Sequence, residues 1–224
     1  MQVHPPVPVV LPENLLASVV GWEDVKVLMK RGSSSAKPVP FLLVGPPASA
    51  KSLFLMELAH IPGAHYAVGS GVSKAGIRQM LIKQDPKLLL IDEMDKVHKN
   101  DLSVLLSIME DGLVTETLYG RHGVFQRDSR VFAAANRVAS VPEEVLSRFC
   151  RFDLHPYEEE TFLLVADRVL VEREGGVPEL AHAIGKGVWT DLRSGDIRDA
   201  VRTARLTRTL EDLPSVLATL KKYR

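Results

Sequence analysis

Phe41-Leu42-Leu43-Val44-Gly45-Pro46-Pro47-Ala48-Ser49-Ala50-Lys51-Ser52-Leu53-Phe54-Leu55-Met56 is the stretch on which the reading of this chain turns. Four apolar residues lead into a Gly/Pro/Ser turn, and the turn leads into a run of good helix formers reaching Ala59. Strand, tight turn and helix in that order converge backbone N–H groups on one point, where the helix dipole also favours negative charge. A phosphate fits there. Lys51 adds a point charge for the outer phosphates of a nucleotide, and the Ser52 hydroxyl is a ligand of the type Mg²⁺ prefers. Alanine stands at 48 and 50, where loops of this kind commonly carry glycine. An L-residue in the left-handed region costs about 1 kcal/mol or more, so the sequence predicts negative φ at both.

A second stretch, Leu88-Leu89-Leu90-Ile91-Asp92-Glu93, is an apolar run ending in two acids. Bounded by Asp85-Pro86-Lys87, it reads as a buried parallel strand. Carboxylates at the carboxyl end of such a strand have a chemical reason: Asp92 to hold a hydrated Mg²⁺, Glu93 to polarise a water for attack on the terminal phosphate.

The remaining strand candidates are 64–68, 130–135 and 150–154, and with 41–44 and 88–91 they alternate with helical patterns as in a parallel α/β sheet. Leu102, Leu105, Leu106 and Met109 form one buried helix face. Residues 114–118 and 124–130 flank Tyr119-Gly120-Arg121-His122-Gly123, which predicts a β-hairpin with a basic tip. Before the first strand, 14–30 has a helical tendency broken at Val19-Val20-Gly21, and 31–38 reads as a loop. Beyond Pro156 strand signals stop, and helices are expected at 158–174, 178–188, 196–210 and 213–222. The organisation expected is an extended arm at 1–13, an α/β domain at 14–155 and a helical domain at 156–224.

Composition bounds the alternatives. Of 224 residues 46% are hydrophobic and 25% charged, ordinary for a folded protein with a sizeable core. The 28 basic residues balance 28 acidic ones, so the whole molecule lacks the charge of a dedicated nucleic-acid binder. Cys150 is alone, which excludes an internal disulfide and fits a reducing, cytoplasmic setting; no secretion signal or membrane span is expected.

Taken together these residues resemble the AAA+ ATPases, over nearly the whole chain. The resemblance implies a P-loop NTPase fold: a five-stranded parallel sheet flanked by helices, with a small C-terminal all-helical lid. It implies ATP and Mg²⁺ as cofactors, held by Gly45 to Leu53 and Asp92, with Val20 and Gly21 packing near the adenine. Ser52 and Asp92 would serve the metal. Glu93 would be the catalytic base, and Asn136, after 131–135, resembles the polar residue that orients the attacking water. Ser147-Arg148-Phe149 resembles an arginine finger supplied to the neighbouring subunit. Gly195-Asp196-Ile197-Arg198 resembles the segment that brings an arginine to the nucleotide of its own subunit.

Alanine before the phosphate-loop lysine, and a hairpin before Asn136, are most similar to the helicase-type branch containing MCM, RuvB and MoxR ATPases. That implies a homohexameric ring with Lys74, Arg121 and His122 facing a central pore, and a DNA client or, alternatively, a protein client remodelled as by MoxR. RuvB-like and MCM proteins carry further DNA-binding modules, so an adaptor supplying recognition is expected. An inactive scaffold is disfavoured by the presence of Lys51, Asp92, Glu93, Asn136, Arg148 and Arg198 together.

Overall fold

The computed structural model describes residues 9–118 and 121–223, and of 116–118, 121 and 122 the backbone. By compactness the chain divides into two units: the described residues up to Pro46 together with Ala50–Leu154, and Pro47–Ser49 together with the residues from His155 onward.

The first unit is built on strands β1 (Phe41–Val44), β2 (Ala64–Val68), β3 (Leu88–Asp92), β6 (Arg130–Ala135) and β7 (Cys150–Asp153). They form one parallel sheet in the order β2-β3-β6-β1-β7. Side chains alternate across it. Phe41, Leu43, Leu88, Leu90, Phe132 and Ala134 pack on one face, against helices α1 (Glu23–Ser34) and α2 (Lys51–Leu58). Leu42, Val44, Leu89, Ile91, Val131 and Ala133 pack on the other, against α3 (Lys74–Gln84) and α4 (Lys99–Glu110). Burial on both faces explains the apolar runs 41–44, 88–91 and 131–135 within β1, β3 and β6.

The first unit departs from the sequence reading ahead of β1 and at the hairpin. The helix expected within 14–30 begins only at Glu23, and it runs through Ser34 into the predicted loop at 31–38. Gly32 lies within that helix, and a side chain there would collide with the Phe41 ring. A glycine that looked like loop punctuation therefore marks the contact of α1 with the sheet. The second difference is the hairpin, whose strands are β4 (Leu113–Leu118) and β5 (Arg121–Gln126), paired from Leu113↔Gln126 to Leu118↔Arg121. Arg121, His122 and Gly123 are thus strand residues, not turn residues, and the tip, Tyr119-Gly120, lies outside the described residues. Arg127, which follows β5, donates from Nε to the Leu81 carbonyl (2.7 Å) and from Nη2 to the Ile82 carbonyl (2.9 Å). These are carbonyls of the last turns of α3, so one cation ties the hairpin's return to a helix C-terminus.

The second unit is helical: α6 (Glu159–Glu172), α7 (Pro178–Thr190), α8 (Ile197–Leu206) and α9 (Leu213–Lys222). The short α5 (Glu143–Leu146) precedes β7 in the first unit. Phe162 and Trp189 pack at 5.2 Å between ring centroids, and Gly187 lets Leu217 of α9 approach α7. Helix α8 stops at Leu206, four residues short of the predicted end, with Thr207 in extended backbone. No helix among the described residues is long and apolar enough to cross a membrane.

Candidate functional site

In a parallel sheet all carboxyl ends lie on one side, and there β1, β3 and β6 lead into the phosphate loop, the acid pair and Asn136. β1 ends at Val44 beside Ala135 of β6, and the phosphate loop leaves from there. β3 ends at Asp92, and β6, which lies between β1 and β3, is followed directly by Asn136.

The loop's backbone contradicts one expectation. Ala48 (φ 66°) and Ala50 (φ 63°) both occupy the left-handed region. Each strains by roughly 1–2 kcal/mol relative to glycine, and the surrounding fold holds them there. Of the seven non-glycine residues at positive φ among those described, Ala48, Ala50 and Glu93 (φ 51°) fall within the two decisive stretches. Strain of this kind concentrates where the chain must aim its groups. Ala50→Gly is accordingly expected to raise the unfolding free energy by roughly 0.5–1 kcal/mol, relief of strain exceeding the added freedom of the unfolded chain. A urea titration checks it; a loss of stability would mean that Ala50 is unstrained.

Lys51 begins α2 and is 6% exposed, with its Nζ donating to the Pro46 carbonyl at 2.6 Å. The lysine is thereby folded back along its own loop. Ser52 is exposed, and Ala50, the N-cap, has no side chain that can accept from the first-turn N–H groups of α2. Asp92 is 7% exposed, and both its oxygens are engaged: Oδ1 accepts from the Glu93 N–H and Oδ2 from the Tyr66 hydroxyl, each at 2.8 Å. Burial first, then the Asp92 hydrogen bond and the charges of Asp92 and Glu93, push the Tyr66 phenol above its usual range. Tyr66 therefore stays a neutral donor.

Glu93 is half-buried and pairs with Lys96 at 3.0 Å. Its carbonyl abuts the end of β2: a Cβ on Gly69 would lie 2.1 Å from that oxygen. Asp95, in the single helical turn Met94–Lys96, accepts from the Asn136 N–H at 3.1 Å, and its carbonyl accepts from Ser140 at 2.9 Å. Asp95 and Tyr66 were missed in the sequence. Asp95 had a signal, as a third acid within four residues, whereas Tyr66 becomes visible only once β2 is paired with β3.

Val20 and Gly21 lie in the segment ahead of α1, where Lys26 Nζ donates to the Val19 carbonyl at 3.0 Å. The next residue, Trp22, has its indole N–H buried with no acceptor among the described residues. Arg148 follows α5 and pairs with Glu110 at the end of α4, while also donating to Ser147 Oγ at 3.0 Å. Arg198 belongs to the helical unit, at the start of α8, with its guanidinium on the Asp196 carboxylate (Nη2 to Oδ2, 2.6 Å). Burial opposes ionisation of Asp196, but the Arg198 hydrogen bonds and the Arg198 and Arg202 charges together outweigh it and hold the carboxyl below its usual range. Arg202 pairs with Asp199, and Arg205 with Glu174. Lys74 is the exposed first residue of α3, its N–H donating to Asp101 at 2.7 Å. Arg121 and His122 are placed by backbone pairing, and their side chains lie outside the described residues.

The donor set fits a nucleotide with magnesium. A buried lysine, an uncapped helix start and a hydroxyl stand on the phosphate side, and an orphaned indole N–H adjoins the segment expected near the base. Among the described residues no cluster of three or more His, Cys, Asp or Glu can hold a metal by itself.

Comparison with known proteins agrees. The profile of the ATPase family associated with various cellular activities (AAA) matches residues 41–157. The chain is 28% identical over 166 residues to DNA replication licensing factor MCM5 of Oryza sativa subsp. indica, covering 61% of this chain and 23% of that protein. It is 30% identical over 141 residues to DNA replication licensing factor MCM3 of Gallus gallus, covering 55% of this chain and 17% of that one. The chain thus spans less than a quarter of the length of these relatives. Among solved structures, the Thermotoga maritima RuvB Holliday junction branch migration motor shares the fold at a TM-score of 0.61 and 21% identity, over 83% of this chain and 61% of that one.

Proposed function

This chain belongs to the AAA family of ATPases, and on that premise we propose that it is an Mg²⁺-dependent ATP hydrolase working as a DNA-acting motor in a homohexameric ring. The observation that carries the ATPase reading is the shared edge of β1, β6 and β3, from which the phosphate loop, Asn136 and the acid pair all emerge. Lys51 and the backbone N–H groups of Gly45 and of 48–53 bind the phosphates, Ser52 and Asp92 serve the magnesium, and Val20 and Gly21 line the base. Magnesium, when bound, supplies charge neutralisation at the phosphates. Glu93 accepts the proton of the attacking water, Asn136 orients that water, Arg198 acts within its own subunit, and Arg148 serves a neighbouring one.

DNA as the client is supported by the similarity to the two replication licensing factors and by the fold shared with a branch migration motor. Lys74, Arg121 and His122 would grip the client in the ring's pore through phosphates rather than bases. The test is the hydrolysis rate with single-stranded, duplex and four-way-junction DNA across a salt series. DNA is expected to raise turnover, with an effect that weakens as salt rises. Turnover indifferent to all three would assign the motor to a protein client, as for MoxR-like remodellers. Absence of ATP binding would remove the motor altogether.

A further inference from the structure

We propose that Tyr66 is a positioning residue for magnesium, acting through Asp92; the inference rests on the nucleotide reading above. β2 and β3 run parallel with Tyr66 beside Leu90 and Val68 beside Asp92, so the Tyr66 ring lies on the same sheet face as Asp92, one step back along the strand. The ring packs against the core between the sheet and α1–α2, and its hydroxyl reaches forward to Asp92 Oδ2 at 2.8 Å. The other oxygen is fixed by the Glu93 N–H at 2.8 Å.

A carboxylate offers about four lone-pair sites, two on each oxygen. One on each is taken by these donors, which leaves one on each for magnesium-bound water. Two donors on opposite oxygens also fix the rotation of the carboxylate plane of this largely buried acid. Without the hydroxyl, Oδ2 loses its anchor and the plane is free to turn away from the metal. Groups that orient a ligand in this way typically change metal affinity by about 10–100-fold when removed.

Tyr66→Phe keeps the ring and deletes only the hydroxyl. Calorimetry with ADP, with and without Mg²⁺, reads the effect directly. The variant is expected to bind ADP without metal as the wild type does, and to lose about tenfold of the affinity that Mg²⁺ adds. The Mg²⁺ concentration for half-maximal ATP hydrolysis should rise by a similar factor, about tenfold. A lowered melting temperature with an unchanged magnesium increment would make the hydroxyl merely structural and overturn the proposal. An increased magnesium increment would make it a competitor of the metal, overturning it equally. Wild-type protein that binds no nucleotide would bring down the functional reading and this inference together, whereas the first two outcomes leave the functional reading standing.

Discussion

Glu93→Gln is expected to lower ATP turnover by about 10²–10⁴-fold while leaving nucleotide affinity nearly unchanged, because the amide keeps the shape but cannot take the proton of the attacking water. The geometry isolates the effect. Glu93 is held by its backbone, with its N–H on Asp92 and its carbonyl against Gly69, and these anchors survive the substitution. Its side chain pairs with Lys96, a half-exposed contact worth little to stability. Single-turnover hydrolysis and equilibrium binding measured on one preparation check this. Persisting turnover would remove Glu93 from the role of base, and lost binding would place it among the phosphate-holding groups.

Two inactive variants are expected to restore one another. Arg148→Ala should cost about 10³–10⁵-fold in turnover, the effect of removing an arginine from the developing charge on a transferring phosphoryl group. Lys51→Ala should abolish binding at its own site. Mixed one to one, a head-to-tail ring joins an intact phosphate loop to an intact Arg148 at about a quarter of its interfaces, and activity should reappear to that extent. In the single chain Arg148 is held by Glu110 and Ser147, which keeps the guanidinium ordered before any neighbour arrives. Failure of the mixture to recover, in assemblies shown to contain both variants, would confine Arg148 to its own subunit.

The centre of the sheet was legible because β1, β3 and β6 are buried along their length, so that 41–44 and 130–135 match their expected bounds, whereas β2 and β7 are the less buried edge strands. The helices of the second unit were legible from spacing, with 213–222 matched at both ends. What escaped depends on groups distant in sequence. The conformation of Ala48 and Ala50 is dictated by the loop's surroundings, against local preference. Gly32 reads as a loop residue until Phe41 is seen to need its space. The polar run Arg121-His122-Gly123 looks like a turn, yet β4 recruits it by pairing. Tyr66 and Asp95 act through hydrogen bonds spanning 26 and 41 positions, which no window along the chain contains.

The contact between Gly69 and Glu93 ties two segments that a designer would otherwise treat separately. With 2.1 Å between the Glu93 oxygen and any carbon added at 69, the seam admits hydrogen alone. The short turn Gly69–Gly71 leading to Lys74 cannot press inward without dislodging the acid behind it. A force applied there would therefore reach Glu93 through backbone alone, with no intervening side chain.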